Sequence, residues 1–302
     1  MQMWVQLCCL KINKSPLKQN AGLVFNVMVC WSSEKNMMDI MSDDLVVKSN
    51  ALIMATYTMT AEEQKVILSA IAQIRRDEIV TDAIMYTVTA NALSDMGGFS
   101  AKNEYRNLAA AVERLFERKV VISSLNQDSV KIKTRWVQTC KYKQNEGCVE
   151  LRFSKDILPY LNQLSEQFTQ YKLQNISGMT SSYGIRLYEL LIQWRSIGER
   201  EVELEWLRHM WNLGSKYQSI CDLKKRVLDP AINDVNAHSD LHVTLGQRKT
   251  GRQVTHLQFK FEPKKKTERK TAKKLTDSEI SARARPGESW DEARTRLTST
   301  FS

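Results

Sequence analysis

Basic and hydrogen-bonding side chains gather between residues 216 and 252 in a pattern suited to grasping a polyanion. Lys216, Ser219, Lys224, Lys225 and Arg226 fall in one amphipathic stretch, and Arg248, Lys249 and Arg252 crowd a glycine-bounded tip, Gly246-Gln-Arg-Lys-Thr-Gly251-Arg, that holds no acid. Arginine offers paired donors to guanine O6 and N7, and lysine a compact charge to phosphate. The chemistry expected is therefore non-covalent reading and gripping of duplex DNA. Lys225 and Arg226, with Ser219 and Lys216 near the start of their helix, are expected at base edges. Lys224, Arg248, Lys249 and Arg252 are expected on phosphates, as are Ser182 and Arg186 at the start of an earlier helix.

Covalent chemistry finds little support. No GxxxxGK[ST] run is present to cradle nucleotide phosphates. The six cysteines form no CxxC pair and none stands near a histidine at zinc-ligand spacing, so they read as reduced thiols. A nicking enzyme would need a histidine pair for a metal and a nucleophilic tyrosine, and His238 with His242 is too loose a match. The chain is expected to be no enzyme and to carry neither metal nor cofactor.

Elements that would position these side chains occur twice. Val88, Leu93 and Met96, followed by Gly97-Gly98, recur as Val202, Leu207 and Met210 before Gly214. In both copies a strand-like run, residues 85–89 or 201–204, leads into a short helix that stops at glycine. A longer helix follows, to about residue 119 or 236, and then a β-rich stretch. Strand, short helix, turn, long helix and hairpin is the plan of a winged helix, which presents its second helix to a DNA groove. The fold class expected is α+β: two tandem winged helices, with residues 45–153 the first, 154–262 the second, and residues 263–302 a basic tail.

The two long helices differ in their outward faces. In the first, Tyr105, Leu108, Val112, Leu115 and Phe116 form the apolar stripe and Asn103, Arg106, Ala110, Glu113, Arg114 and Glu117 face away, with as many acids as bases. That surface suits a protein partner better than DNA. In the second, Ile220, Leu223, Val227 and Ala231 share one side. Ser219, Asp222, Lys225, Arg226, Asp229 and Asn233 share the other, Lys224 lies at the boundary, and Pro230 should kink the helix. The basic tip then reads as a wing beside the helix, between strands at residues 241–245 and 254–261.

Upstream, Thr60 with Glu63 predicts a capping box opening a core helix to Arg75. Strands are expected at residues 120–123, 130–139 and 148–153, a helix interrupted near Pro159, an irregular stretch after residues 168–173 that ends at Gly178, and a helix from Ser181 or Ser182 to Arg195. The net charge is +10, and half of it falls in residues 263–302, where eleven basic residues face six acidic ones. A basic protein with a basic tail favours polyanions. The tail should begin as a disordered linker and continue in two short helices capped by Thr276 with Glu279 and Ser289 with Glu292. No run reaches the ~18 apolar residues of a membrane span. Residues 1–44 are expected to stand outside the fold as an upstream extension, with translation starting at Met37, Met38 or Met41, and the product to be cytoplasmic without membrane contact.

Four stretches carry a family resemblance: Phe168-Thr-Gln-Tyr-Lys-Leu173, Tyr183-Gly-Ile-Arg-Leu-Tyr-Glu-Leu190, Lys224-Lys-Arg-Val-Leu-Asp-Pro-Ala-Ile232 and Gly251-Arg-Gln-Val-Thr-His256. From about Leu45 to Phe261 the chain resembles the iteron-type plasmid replication initiators. The resemblance implies tandem winged helices and a bacterial, plasmid-associated protein that binds directly repeated origin sites as a monomer. It further implies melting of adjacent AT-rich DNA, recruitment of the host initiator and replicative helicase, and repression of the protein's own promoter by a dimer joined through the first winged helix. By position it places the second recognition helix at residues 219–226 and the wing at 247–252. The first domain's equivalent helix begins at Lys102, with Asn103 and Arg106 as its candidate DNA contacts. A winged-helix transcriptional regulator without initiation activity would carry the same DNA surface. A row of direct repeats beside AT-rich DNA would mark the initiator, and a lone inverted repeat the regulator.

Overall fold

The computed structural model describes residues 45–75, 80–97, 103–123, 131–162, 167–264, 285 and 288–299. The expectations for residues 1–44, for Lys102 and for the Thr276–Glu279 cap lie outside them. Two copies of one topology follow in sequence. In the first, α2 (Ala61–Ala72) leads to β3 (Tyr86–Thr89), short α3 (Ala90–Asp95), long α4 (Glu104–Phe116) and the hairpin β6 (Val137–Lys143) and β7 (Cys148–Phe153), with sheet order β3-β7-β6. Ahead of α2 stand β1 (Leu45–Ser49), α1 (Asn50–Ile53) and β2 (Thr56–Tyr57), and β4 (Lys119–Ser123) and β5 (Lys131–Arg135) intervene after α4. In the second copy β8 (Phe168–Lys172) and α5 (Ser182–Ile192) precede β9 (Glu199–Glu203) and short α6 (Leu204–Met210). The long helix follows as α7 (Ile220–Leu223), a π turn (Lys224–Leu228) and α8 (Asp229–His238), then the hairpin β10 (Leu241–Thr250) and β11 (Gln253–Pro263). The sheet order β10-β11-β9 repeats the first.

Apolar spacing sets these elements. Val88, Leu93 and Met96 are buried, and so are their repeats Val202, Leu207 and Met210. Leu108, Val112 and Leu115 of α4 and Leu223, Val227 and Ala231 of the second long helix turn into a core shared by both halves, while Tyr105, Phe116 and Ile220 pack at its margin. The Thr60–Glu63 capping box forms, with Glu63 N–H donating to Thr60 Oγ1 and Thr60 N–H to Glu63 Oε2. The segment at 155–160 is a 3-10 helix containing Pro159. Ser289 and Glu292 reciprocate in the second tail cap, opening α9 (Trp290–Ser299).

Two features lie beyond the local patterns. Residues 168–172 are a strand, antiparallel to β1 with Ser49 opposite Phe168 and Leu45 opposite Lys172. That partner lies more than a hundred residues upstream, so no local turn signal marks the pairing. Near Pro230 the helix continues through a π turn in which Asp229 N–H reaches the Lys224 carbonyl, an i to i+5 bond. Proline lacks an N–H, so the Arg226 carbonyl has no i+4 donor, and the wider turn before the ring accommodates that loss.

Candidate nucleic-acid interface

The second helix-turn-helix is held by a turn with three left-handed residues, Asn212, Gly214 and Tyr217. Arg208 fixes it from α6. Its Nη1 donates to the Tyr217 carbonyl at 2.7 Å, and its Nη2 to the Gly214 and Lys216 carbonyls at 3.0 and 2.8 Å. Trp211 and Leu213 anchor the same turn in the core. The long helix therefore leaves a rigid corner, with Lys216 exposed on the corner and Ser219 exposed at its N-cap, the hydroxyl making no capping bond.

Beyond it the helix presents the side chains expected. Lys225 and Arg226 are exposed, Arg226 at 66%. Arg226 Nε pairs with Asp222 Oδ1 at 2.6 Å, one turn back on the same helix. An exposed i,i+4 pair is worth a few tenths of a kcal/mol, so an anion or hydrogen-bond acceptor would displace the carboxylate at little cost. Lys224 is half-buried at the boundary, and its Nζ donates to Gln247 Oε1 on the wing at 2.6 Å, tying helix to wing. A helix about 10–12 Å across with its side chains fits the major groove of B-DNA, about 12 Å wide.

The wing is longer than its sequence suggested. Strand pairing runs to Thr250 opposite Gln253, leaving Gly251 and Arg252 as a two-residue turn with Gly251 at φ +62°. A register shift falls between Arg248 and Lys249. Lys249 and Arg252 are exposed at the tip. Arg248 differs. Its Nη2 and Nε meet Glu201 Oε1 of β9 at 2.7 and 3.0 Å, and Glu201 also accepts from Gln258. The Arg248 hydrogen bond, then that of Gln258, holds the Glu201 carboxyl below its usual range, and the same contact raises Arg248. Glu201 stands opposite Gln258 across the sheet, a proximity visible only once the strands are in register.

Arg186 is the one site expectation the structure contradicts. Its side chain is buried, 4% exposed, and faces the interior of the fold, where no phosphate reaches it. It donates to the Ala55, Tyr57 and Met210 carbonyls at 2.6, 2.8 and 2.9 Å and lies 3.8 Å over the Tyr57 ring. An arginine in a helix's second turn ordinarily points to water, and the carbonyls that satisfy it here come from distant segments. Ser182 is half-buried, and its carbonyl accepts from Gln64. In the first copy Asn103 and Arg106 are exposed, and Asn103 enters α4 in a left-handed conformation without a side-chain cap. Sequence reasoning also missed Arg208, Gln247 and Glu201. Arg208 alone had a local signal, a cation in the last turn of a short helix.

Among the described residues no His, Cys, Asp and Glu group is arranged to hold a metal, and no helix is long and apolar enough to cross a membrane. Fold and surface together define a tandem winged-helix DNA-binding protein.

Comparison with known proteins makes that class specific. Residues 45–192 match the family described as Initiator Replication protein, WH1, and residues 203–261 that described as Initiator Rep protein, WH2. The chain belongs to this family of replication initiators, as its four motif stretches implied. It is similar to a replication initiation protein of Escherichia coli, 29% identical over 235 residues that cover 74% of this chain and 71% of the relative. An uncharacterised 27.6 kDa protein of Escherichia coli is 31% identical over 107 residues, 35% of this chain and 45% of that one. Among solved structures the chain is similar to the Pi initiator protein, crystallised in complex with iteron DNA, with a TM-score of 0.62 at 19% identity over 73% of this chain and 97% of that one. At that identity the likeness is one of fold.

Proposed function

We propose that this chain initiates plasmid replication by binding directly repeated origin sites as a monomer, one copy to each repeat. The exposed basic face of its second long helix carries the reading. Lys225 and Arg226 approach base edges in the major groove, with Ser219 and Lys216 at the helix start, while Lys224, Lys249, Arg252 and a released Arg248 hold phosphates. Asn103 and Arg106, with Lys102 before them, make the weaker contacts of the first module, and Ser182 stands by as a phosphate contact. A bound monomer helps to melt adjacent AT-rich DNA and recruits the host initiator and replicative helicase in the bacterial cytoplasm. A dimer joined through the first winged helix represses the chain's own promoter.

One observation supports this above others: in a family of replication initiators, basic side chains stand exposed on the helix and wing that a winged helix offers to DNA. The test is footprinting on the DNA flanking the gene at controlled salt. Protection repeated along direct repeats, with affinity falling steeply as salt rises, is the expected result. Protection confined to one inverted repeat would instead mark a regulator without initiation activity.

A further inference from the structure

Each copy of the fold holds the end of its short helix with a buried cation, and both cations stand at the fifth position of the helix that precedes β3 or β9. In the first copy Lys65 of α2, 1% exposed, donates through Nζ to the Met96 carbonyl at 2.9 Å and to the Gly97 carbonyl. In the second, Arg186 of α5 donates to the Met210 carbonyl. Met96 and Met210 are the residues matched by the sequence repeat, and each supplies a carbonyl at a helix C-terminus, where the macrodipole favours positive charge. The positions are equivalent, but the reach is not. The lysine spends its donors within its own copy. The guanidinium, with a planar fork of donors, also takes the Ala55 and Tyr57 carbonyls of the first copy.

That extra reach joins the two reading elements. Tyr57 pairs with Val120 in β4, the strand that follows α4 after two residues. Met210 closes α6, and the turn after it launches the second long helix. One buried side chain thus bridges β2, the neighbour of the strand behind the first long helix, and the corner ahead of the second. Both ends are backbone carbonyls, and the guanidinium lies over the Tyr57 ring. A rigid bridge of this kind fixes the offset between two helices that enter successive stretches of one duplex, as half-site spacing is fixed in other two-module readers.

We propose that Arg186 is a positioning residue that sets the distance and helical phase between the two DNA segments the chain reads. This rests on the duplex-binding role proposed above. The substitution Arg186→Lys would keep the charge and the Met210 carbonyl contact, the counterpart of the Lys65 bond to Met96, while losing the fork that spans both copies.

The test uses the full chain and the duplex that the wild-type protein selects from a random pool, together with versions carrying one or two base pairs inserted between the two segments it protects. Wild type should lose about tenfold or more in affinity on insertion, whereas Arg186→Lys should bind parent and inserted duplexes within about threefold of each other. Tyr57→Leu, which removes the ring under the guanidinium but leaves its carbonyl partners, should fall between them. A general loss of stability would lower affinity for every duplex alike and leave the insertion penalty in place. An Arg186→Lys protein with the wild-type penalty overturns the proposal. A second arm needs no DNA: spin labels introduced at exposed Arg106 and Lys249 report the distance between the copies by pulsed electron resonance. A broader distribution in Arg186→Lys than in wild type is expected, and an unchanged narrow one overturns the proposal. If wild type selects no duplex, the DNA-binding role fails by itself, and the label distances still decide whether Arg186 sets the offset.

Discussion

Around the first long helix Arg114, Arg118 and Arg135 are committed to carboxylates of their own module, while Arg106 stands exposed. Arg114 and Arg118 converge on buried Glu63, Arg135 holds Glu117, and Tyr142 donates to Glu113 on the outward face. Around the second, the carboxylates that hold candidate contacts among the described residues are Asp222 on Arg226 and Glu201 on Arg248, both in exposed pairs. The same scaffold therefore ties three arginines of the first copy to its own carboxylates, the buried Glu63 among them, and leaves Lys225, Lys249 and Arg252 exposed in the other. A winged helix becomes a DNA reader through the destination of its cations, and the fold alone does not decide it.

Five substitutions put that contrast to the test. The largest effect is expected from Arg226→Ala, which should cost about 1–3 kcal/mol of preference for the selected duplex over random duplex, while Arg106→Ala in the first copy leaves that preference nearly intact. Competition binding with both mutants measures the difference, and equal losses would erase the asymmetry. Next comes Glu63→Gln, which leaves Arg118 without its anion and Arg114 with Glu62 alone, and should lower stability by about 1–2 kcal/mol in thermal melts near neutral pH. Burial alone would raise the Glu63 carboxyl, but hydrogen bonds from Arg118, the Thr60 N–H and Arg114 outweigh it and hold the group below its ordinary range. A depressed carboxyl stabilises the fold above its unfolded pKa, and that contribution is lost as pH falls through the lower folded value. The wild-type advantage over Glu63→Gln should therefore shrink below about pH 4.

Lys249→Ala should weaken all duplexes alike and reduce the slope of log affinity against log salt by about one unit. A loss confined to one sequence would move Lys249 from phosphate to base. The smallest effect is expected from Glu201→Gln, which frees Arg248 and should tighten random-duplex binding by a few fold, with a steeper salt slope. No change would mean that DNA already displaces the carboxylate at no cost.

Much of the architecture was legible because repeated apolar spacing is a local signal. Val88, Leu93 and Met96 and their counterparts Val202, Leu207 and Met210 all face the core, and the sheet orders repeat as the two-copy reading implied. The outward faces of both long helices followed from the same periodicity, down to Lys224 at the boundary. Long-range pairing stayed hidden. The β1–β8 ladder, the Glu201 carboxylate under the wing and the inward turn of Arg186 all depend on partners brought near by the fold, and an arginine's type does not reveal which way it points.

The decisive measurement is methylation interference at guanine N7, which lies in the major groove, with wild type and Arg226→Ala compared on the selected duplex. At least one guanine should block wild-type binding when methylated and leave the mutant unaffected, the signature of a contact removed with the side chain. Identical interference in both proteins, or interference only from alkylated adenine N3 in the minor groove, would contradict a second long helix reading bases through Arg226.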